Sequence, residues 1–172
     1  MSPFNFIPFS EIKTSSLLLR QLKPEDENEI FIMRSDERIL KYLDIPAANN
    51  IEDARKFIEK INNGINKNEW IYWGITLQNN PKLIGTICLW NISDENSTAD
   101  AGYVLLNEYQ GKGFMQEALK KVIDYGFNKM NLNYIEADVD PKNSPSIKLL
   151  EKFNFVCKRK SENTVIYTLI KK

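Results

Sequence analysis

A chain of 172 residues, 42% of them hydrophobic, is long enough to bury a sizeable core, and a single domain over residues 1–172 is expected. Its 23 acidic and 23 basic residues cancel, which excludes a global field that would gather nucleic acid or an anionic membrane surface. Histidine is absent, and the two cysteines, Cys88 and Cys157, stand in no ligand spacing, so no metal and no disulfide scaffold is expected; both are read as reduced core residues.

In chain order, the N-terminus MSPFNFIPFSEIK lacks a basic start followed by an apolar segment, and no run approaches the ~18 apolar residues of a membrane span, so a cytoplasmic location is expected. Ser15–Leu22 reads as a first strand. Pro24, followed by Glu25, Asp26 and Glu27, suits a helix start. Ser35 and Asn50 are the expected N-caps of two further helices, the second with Ala54, Phe57, Ile58, Ile61 and Ile65 on one face. Trp70–Leu77, Lys82–Ile92 and Thr98–Leu106 read as an antiparallel meander with turns at NNP and SDENS. A helical stripe runs through Met115, Ala118, Leu119, Val122, Ile123, Gly126, Phe127 and Met130. NYIEADVD alternates as a strand, Ser144 and Pro145 are the expected N-cap and first helical residue of SPSIKLLEKF, and FVCKRK and VIYTLI close the chain as two strands. The order is β, three helices, three β, α, β, α, β, β.

Between the third meander strand and the long helix lies NEYQGKGFMQEAL, with Gly111 and Gly113 one residue apart. Glycines there let the main chain take left-handed angles and approach a ligand closely, the first N–H groups of the helix converge on one spot, and Lys112 adds a cation. A phosphate or pyrophosphate fits such a loop; so does a plain glycine turn before a core helix, and the loop alone leaves both open. It is not a Walker loop, because Gly113 is followed by Phe114 and Met115, nor a dinucleotide fingerprint, whose third glycine would fall on Gln116.

The loop Gln110-Gly111-Lys112-Gly113-Phe114-Met115 resembles the Q/R-x-x-G-x-G/A motif of the GNAT superfamily of acyl-CoA N-acetyltransferases, with Met115 in place of the last glycine or alanine. TSSLLLRQLKPED, LIGTICLWNI, ADAGYVLLNEYQGKGFMQEAL and YIEADVDPKNSPSIKLLEKFNF together resemble the subgroup that acetylates ribosomal-protein N-termini, across Phe9 to Tyr167. The resemblance implies an α/β (α+β) fold: a mixed, mostly antiparallel sheet splayed open to hold acetyl-CoA, with helices on both faces. It assigns the N–H groups of Gln110 to Met115 to the coenzyme A pyrophosphate, the main chain of Tyr103, Val104 and Leu105 to the pantetheine arm, and Asn143 and Ser146 to the region of the thioester. Without it, Tyr103–Leu105 would read as an ordinary buried strand and Asn143 as a turn residue.

Direct attack of a neutral amine on the thioester needs mostly positioning, worth roughly 7–11 kcal/mol of the barrier. Asp100, in Ala99-Asp100-Ala101-Gly102-Tyr103, stands where the subgroup commonly has a glutamate and is the candidate general base, with a solvated strand residue as the plainer alternative. The tyrosine acid that many members carry in the last helix is Leu150 here, which leaves Ser146 or solvent as the acid. The expected function is transfer of acetyl from acetyl-CoA to a primary amine, foremost a protein N-terminal α-amino group. A small-molecule amine (aminoglycoside, polyamine or amino-acid derivative) and a non-catalytic acyl-CoA-binding module are the alternatives. No nucleic-acid or membrane partner is expected, Trp70, Trp73 and Trp90 read as core or sheet-edge residues, and exposed sheet edges allow a monomer or a homodimer.

Overall fold

A computed structural model describes residues 3–172. Eight strands form one sheet: β1 (Ile12–Lys13), β2 (Leu17–Arg20), β3 (Ile71–Leu77), β4 (Asn80–Ser93), β5 (Thr98–Leu105), β6 (Tyr134–Val139), β7 (Val156–Lys160) and β8 (Val165–Ile170). Their order is β1-β2-β3-β4-β5-β6-β8-β7, and every neighbouring pair is antiparallel except β5 with β6. Five α-helices accompany them: α1 (Glu27–Met33), α2 (Glu37–Leu40), α3 (Ile51–Asn66), α4 (Phe114–Asp124) and α5 (Ser144–Lys152). The expected order of elements is therefore observed. The exception is β1, whose two residues are too few to show a period.

The two sides of the meander bury against different helices, as the pleat of β3 and β4 requires. Tyr72 on one side meets Phe57 of α3, ring centroids 6.0 Å apart. Trp73, one residue on, meets Tyr125 just beyond α4 at 5.1 Å. Helix α3 buries Ala54, Ile58, Ile61 and Ile65. Near its end Gly64 is pressed by the Trp70 indole, so a Cβ there would fall 2.0 Å from the ring, and the indole N–H donates to the Ile61 carbonyl at 3.0 Å. The stripe beyond Asp124 continues not as α-helix but as a π turn, Tyr125–Lys129.

Helix starts match the expectation at Asn50, whose side chain accepts from the Asp53 N–H at 3.0 Å. They differ at two places by one residue. Ser35 turns its hydroxyl back to the Phe31 carbonyl at 2.6 Å, leaving Asp36 to cap α2 by accepting from the Arg38 N–H at 2.9 Å. Ser144 is the first helical residue of α5 rather than its cap; Asn143 caps it, accepting from the Ser146 N–H at 3.3 Å. Helix α1 follows a 3₁₀ turn at Pro24–Asp26, because the Asp26 carboxylate points inward. There it pairs with both terminal nitrogens of Arg20 at 2.8 Å and accepts from the Lys23 N–H at 2.7 Å.

One register decides the functional geometry. Strands β5 and β6 pair only through Thr98–Tyr134, Ala99–Ile135 and Asp100–Glu136. Beyond Asp100, β5 stays with β4 as far as Leu105, while β6 stays with β8 through Val139. The sheet opens there, and Ala101 to Leu105 is left with one strand neighbour. Cys157, expected in the core, is exposed instead, because β7 is the sheet's edge strand and all five of its residues are exposed.

Candidate active site

The opening in the sheet is flanked by two cavities. The first, about 400 Å³, is where the glycine loop lies. After β5 the chain makes a 3₁₀ turn at Asn107–Tyr109, and the Gln110 amide donates to the Leu105 carbonyl at 3.0 Å, holding the loop against the strand end. Gly111 and Gly113 have φ of +73° and +84°, in the left-handed region, and a Cβ on either would meet nothing within 4 Å. Open space is thus kept above a main chain that only glycine adopts at low cost. Gly113 is also the N-cap of α4 and has no side chain to offer its first turn; the Glu117 N–H is the first to bond back, to the Gly113 carbonyl at 3.1 Å. The preceding N–H groups face outward with the positive end of the helix dipole. Glu117, the acid of that first turn, is occupied elsewhere, accepting from the Thr14 and Ser15 hydroxyls and from the Ser16 N–H at 2.8 Å.

Of the residues expected to hold the cofactor, all but Lys112 meet at this cavity. Tyr103, Val104 and Leu105 of β5, Gln110, Gly111, Gly113, Phe114 and Met115 of the loop and α4, and Asn143 and Ser146 at the start of α5 all line it. Lys112 does not; its ammonium sits 5.7 Å over the Tyr109 ring on the exposed side of the loop. The cradle of unpartnered N–H groups, the left-handed glycines and the half-free edge of β5 fit a pyrophosphate joined to an extended arm.

The second cavity, about 470 Å³, lies between the meander and helices α1 and α3, and shares Leu43, Tyr103 and Val104 with the first. Asp100 lines only this second cavity. Its carboxylate accepts from the Asn91 amide at 2.9 Å, across a β-bulge where Asn91 takes φ of +48°. Burial raises the Asp100 pKa above the usual carboxylate range; the Asn91 hydrogen bond opposes this, and the nearby Glu136 and Asp138 carboxylates add to it. Cys88, opposite Gly102, has its thiol pushed up to about 12 by burial, so it is a neutral thiol in the wall and not a nucleophile.

Where the cavities adjoin, the Tyr103 hydroxyl is hydrogen-bonded to the Ser146 Oγ at 2.6 Å. Burial pushes the Tyr103 phenol up to about 12, against the Ser146 hydrogen bond. Sequence reasoning assigned Tyr103 through its main chain only, and missed its hydroxyl and Asn91 altogether; a contact between residues 43 positions apart leaves no periodic trace. Among the described residues no group of acids and cysteines is placed to hold a metal ion, and no helix is long and apolar enough to cross a membrane.

Residues 16–156 match the family model described as an acetyltransferase (GNAT) domain. The uncharacterized N-acetyltransferase p20 of Bacillus licheniformis is 39% identical over 142 residues, 83% of this chain and 80% of that protein. Among solved structures, a GNAT-family acetyltransferase from Bacillus anthracis is 26% identical with a TM-score of 0.80, covering 94% of this chain and 98% of its own. The ribosomal-protein-S5-alanine acetyltransferase of Vibrio fischeri has a TM-score of 0.82 over 94% of this chain and 96% of its own; at 24% identity that likeness is one of fold.

Proposed function

Because this chain belongs to the GNAT family of N-acetyltransferases, which use acetyl-CoA, we propose that it acetylates the α-amino group of a protein or peptide N-terminus. The observation that carries the reading is the pair of cavities that share Tyr103 and Val104, one beside a glycine loop and a free helix N-terminus, the other walled by aromatics and Asp100. The fold likeness to the enzyme from Vibrio fischeri, whose substrate is the alanine of a ribosomal protein, favours an N-terminal acceptor.

Acetyl-CoA supplies a thioester carbonyl to be attacked and a thiol to leave. In the reading proposed, the N–H groups from Gly111 to Met115 hold its pyrophosphate, the Gln110 N–H expected to join them being taken by the Asn107 carbonyl at 3.2 Å, and the free edge of Tyr103–Leu105 pairs with its pantetheine arm. Asn143 is committed to capping α5, so it serves the site chiefly by holding Ser146 in the first turn. Asp100 takes the proton of the incoming amine, directly or through a water, and Ser146, backed by the protonated Tyr103, returns one to the departing sulfur. Positioning the two reactants on either side of Tyr103 and Val104 supplies the larger part of the acceleration.

The second cavity has the volume of a small-ligand site, which favours a small amine as the second reading. Release of free coenzyme A, measured against N-terminal peptides, polyamines, aminoglycosides and amino acids, separates the two. Turnover confined to the small amines would overturn the N-terminal acceptor.

A further inference from the structure

The second cavity has a charged group that the reaction does not use. Arg34 ends α1, and its guanidinium is half-buried in the cavity wall, 4.1 Å over the Phe57 ring. Three of the other four arginines have carboxylates: Arg20 has Asp26, Arg38 has Asp36, and Arg55 has Glu27 and Glu52; the fourth, Arg159, is exposed to water on the edge strand β7. Arg34 has none, and its side chain makes no hydrogen bond to any described residue. Lys60, exposed at the rim of the same cavity, is likewise without an acidic partner.

A guanidinium is not relieved by losing its proton, so its partial burial without an acceptor costs free energy that a bound anion would recover. Its planar fork of donors matches a carboxylate in two parallel hydrogen bonds. The opposite charge lies elsewhere in the cavity, with Asp100 and Asp138 on β5 and β6 and an apolar wall of Trp70, Tyr72 and Trp90. The cavity is bipolar. From this we infer that the natural acceptor is a primary amine that also bears a carboxylate, and that Arg34 binds that carboxylate while the amine faces Asp100. The inference rests on the second cavity being the acceptor site. For a peptide acceptor the carboxylate is an acidic side chain near the N-terminus; for a small acceptor it is the acid of an amino acid.

Two matched pairs test it: the peptide amides Ala-Glu-Ala-Ala and Ala-Gln-Ala-Ala, and 4-aminobutyrate with 4-aminobutanamide. Coenzyme A release gives kcat/KM, and quenching of tryptophan fluorescence reports binding without turnover, since Trp70 and Trp90 line the cavity. The wild type should favour the carboxylate member of at least one pair by about tenfold, the scale of one charge-assisted hydrogen-bond pair. Which pair responds identifies the source of the carboxylate. In Arg34→Gln the preference should fall to within about twofold, while kcat on the neutral member stays near wild type. Arg34→Lys should keep part of the preference, and it carries the test if the glutamine variant does not fold. No preference in either pair, or a preference that survives Arg34→Gln, overturns the inference. Arg34-dependent binding of the carboxylates without turnover would uphold Arg34 as the carboxylate subsite and sink these compounds as acceptors; turnover without preference would sink the subsite and keep the acetylation.

Discussion

The Tyr103 hydroxyl and the Ser146 Oγ, 2.6 Å apart, join β5 to the first turn of α5 across the opening in the sheet. If the pair delivers the proton to the departing sulfur, Tyr103→Phe and Ser146→Ala should each lower kcat by about a hundredfold, with smaller changes in KM for acetyl-CoA. Acting as one unit, they should not be additive, so the double variant should lose little more than either single one. With the phenol pushed up to about 12, Tyr103 stays protonated through neutral and mildly alkaline pH, and kcat should show no alkaline fall from it below pH about 10. Steady-state kinetics of the three variants and a pH profile of the wild type check this.

Asp100 has its pKa raised, first by burial. A base acts only when ionised, so the acid limb of kcat/KM should lie above the ordinary carboxylate value of about 4. Asp100→Asn should cost about tenfold in kcat/KM at pH about 7.5 for an α-amino acceptor, shrinking toward pH about 9 as the amine deprotonates itself; for a lysine-like amine the cost should reach about a hundredfold or more. Coincident pH–rate profiles for the variant and the wild type would remove Asp100 from the mechanism. Linkage gives a second readout. A carboxylate whose folded pKa is raised stabilises the fold most below its unfolded pKa, and that stability is lost as pH rises through the folded value. The thermal midpoint of Asp100→Asn relative to wild type should therefore rise from acidic to neutral pH.

Gly113→Val should weaken acetyl-CoA binding by tenfold or more, about 1.4 kcal/mol, as read by calorimetry. Its φ of +84° and the open space above it give two causes. A β-branched residue strains the left-handed backbone, and its side chain fills the cradle. A folded variant with wild-type affinity would contradict the assignment of the loop to the pyrophosphate.

Arg20 and Asp26 form a buried ion pair, with side chains only 5% and 6% exposed. Asp26→Ala leaves the guanidinium buried with only the Gln21 and Pro81 carbonyls as acceptors, and should destabilise the fold by about 3–5 kcal/mol. Replacing both residues by apolar ones of similar size should cost much less. Denaturant titration of the single and double variants distinguishes the two outcomes.

Much of this protein was decided within short stretches of its sequence. The apolar runs at Trp70–Leu77 and Thr98–Leu106 with their flanking turn residues, the three-and-four spacing from Ala54 to Ile65, and the cap at Asn50 all act between residues a few positions apart, so the observed elements follow them. The glycine loop was legible for the same reason, since positive φ at Gly111 and Gly113 is a local demand. Even local competition had limits: Ser35 and Asp36, or Asn143 and Ser144, could each cap a helix, and the choice fell to whichever side chain reached a free N–H. What the tertiary structure alone decided is the site. The parting of β5 from β6 after Asp100 is a matter of register between distant strands. The reach of Tyr103 to Ser146, the bulge that brings Asn91 to Asp100, the exposure of Cys157 on an edge strand and the lack of a carboxylate for Arg34 among the described residues follow from how whole elements pack. Periodicity records which face of an element is buried; it does not record which side chain of another element lies opposite.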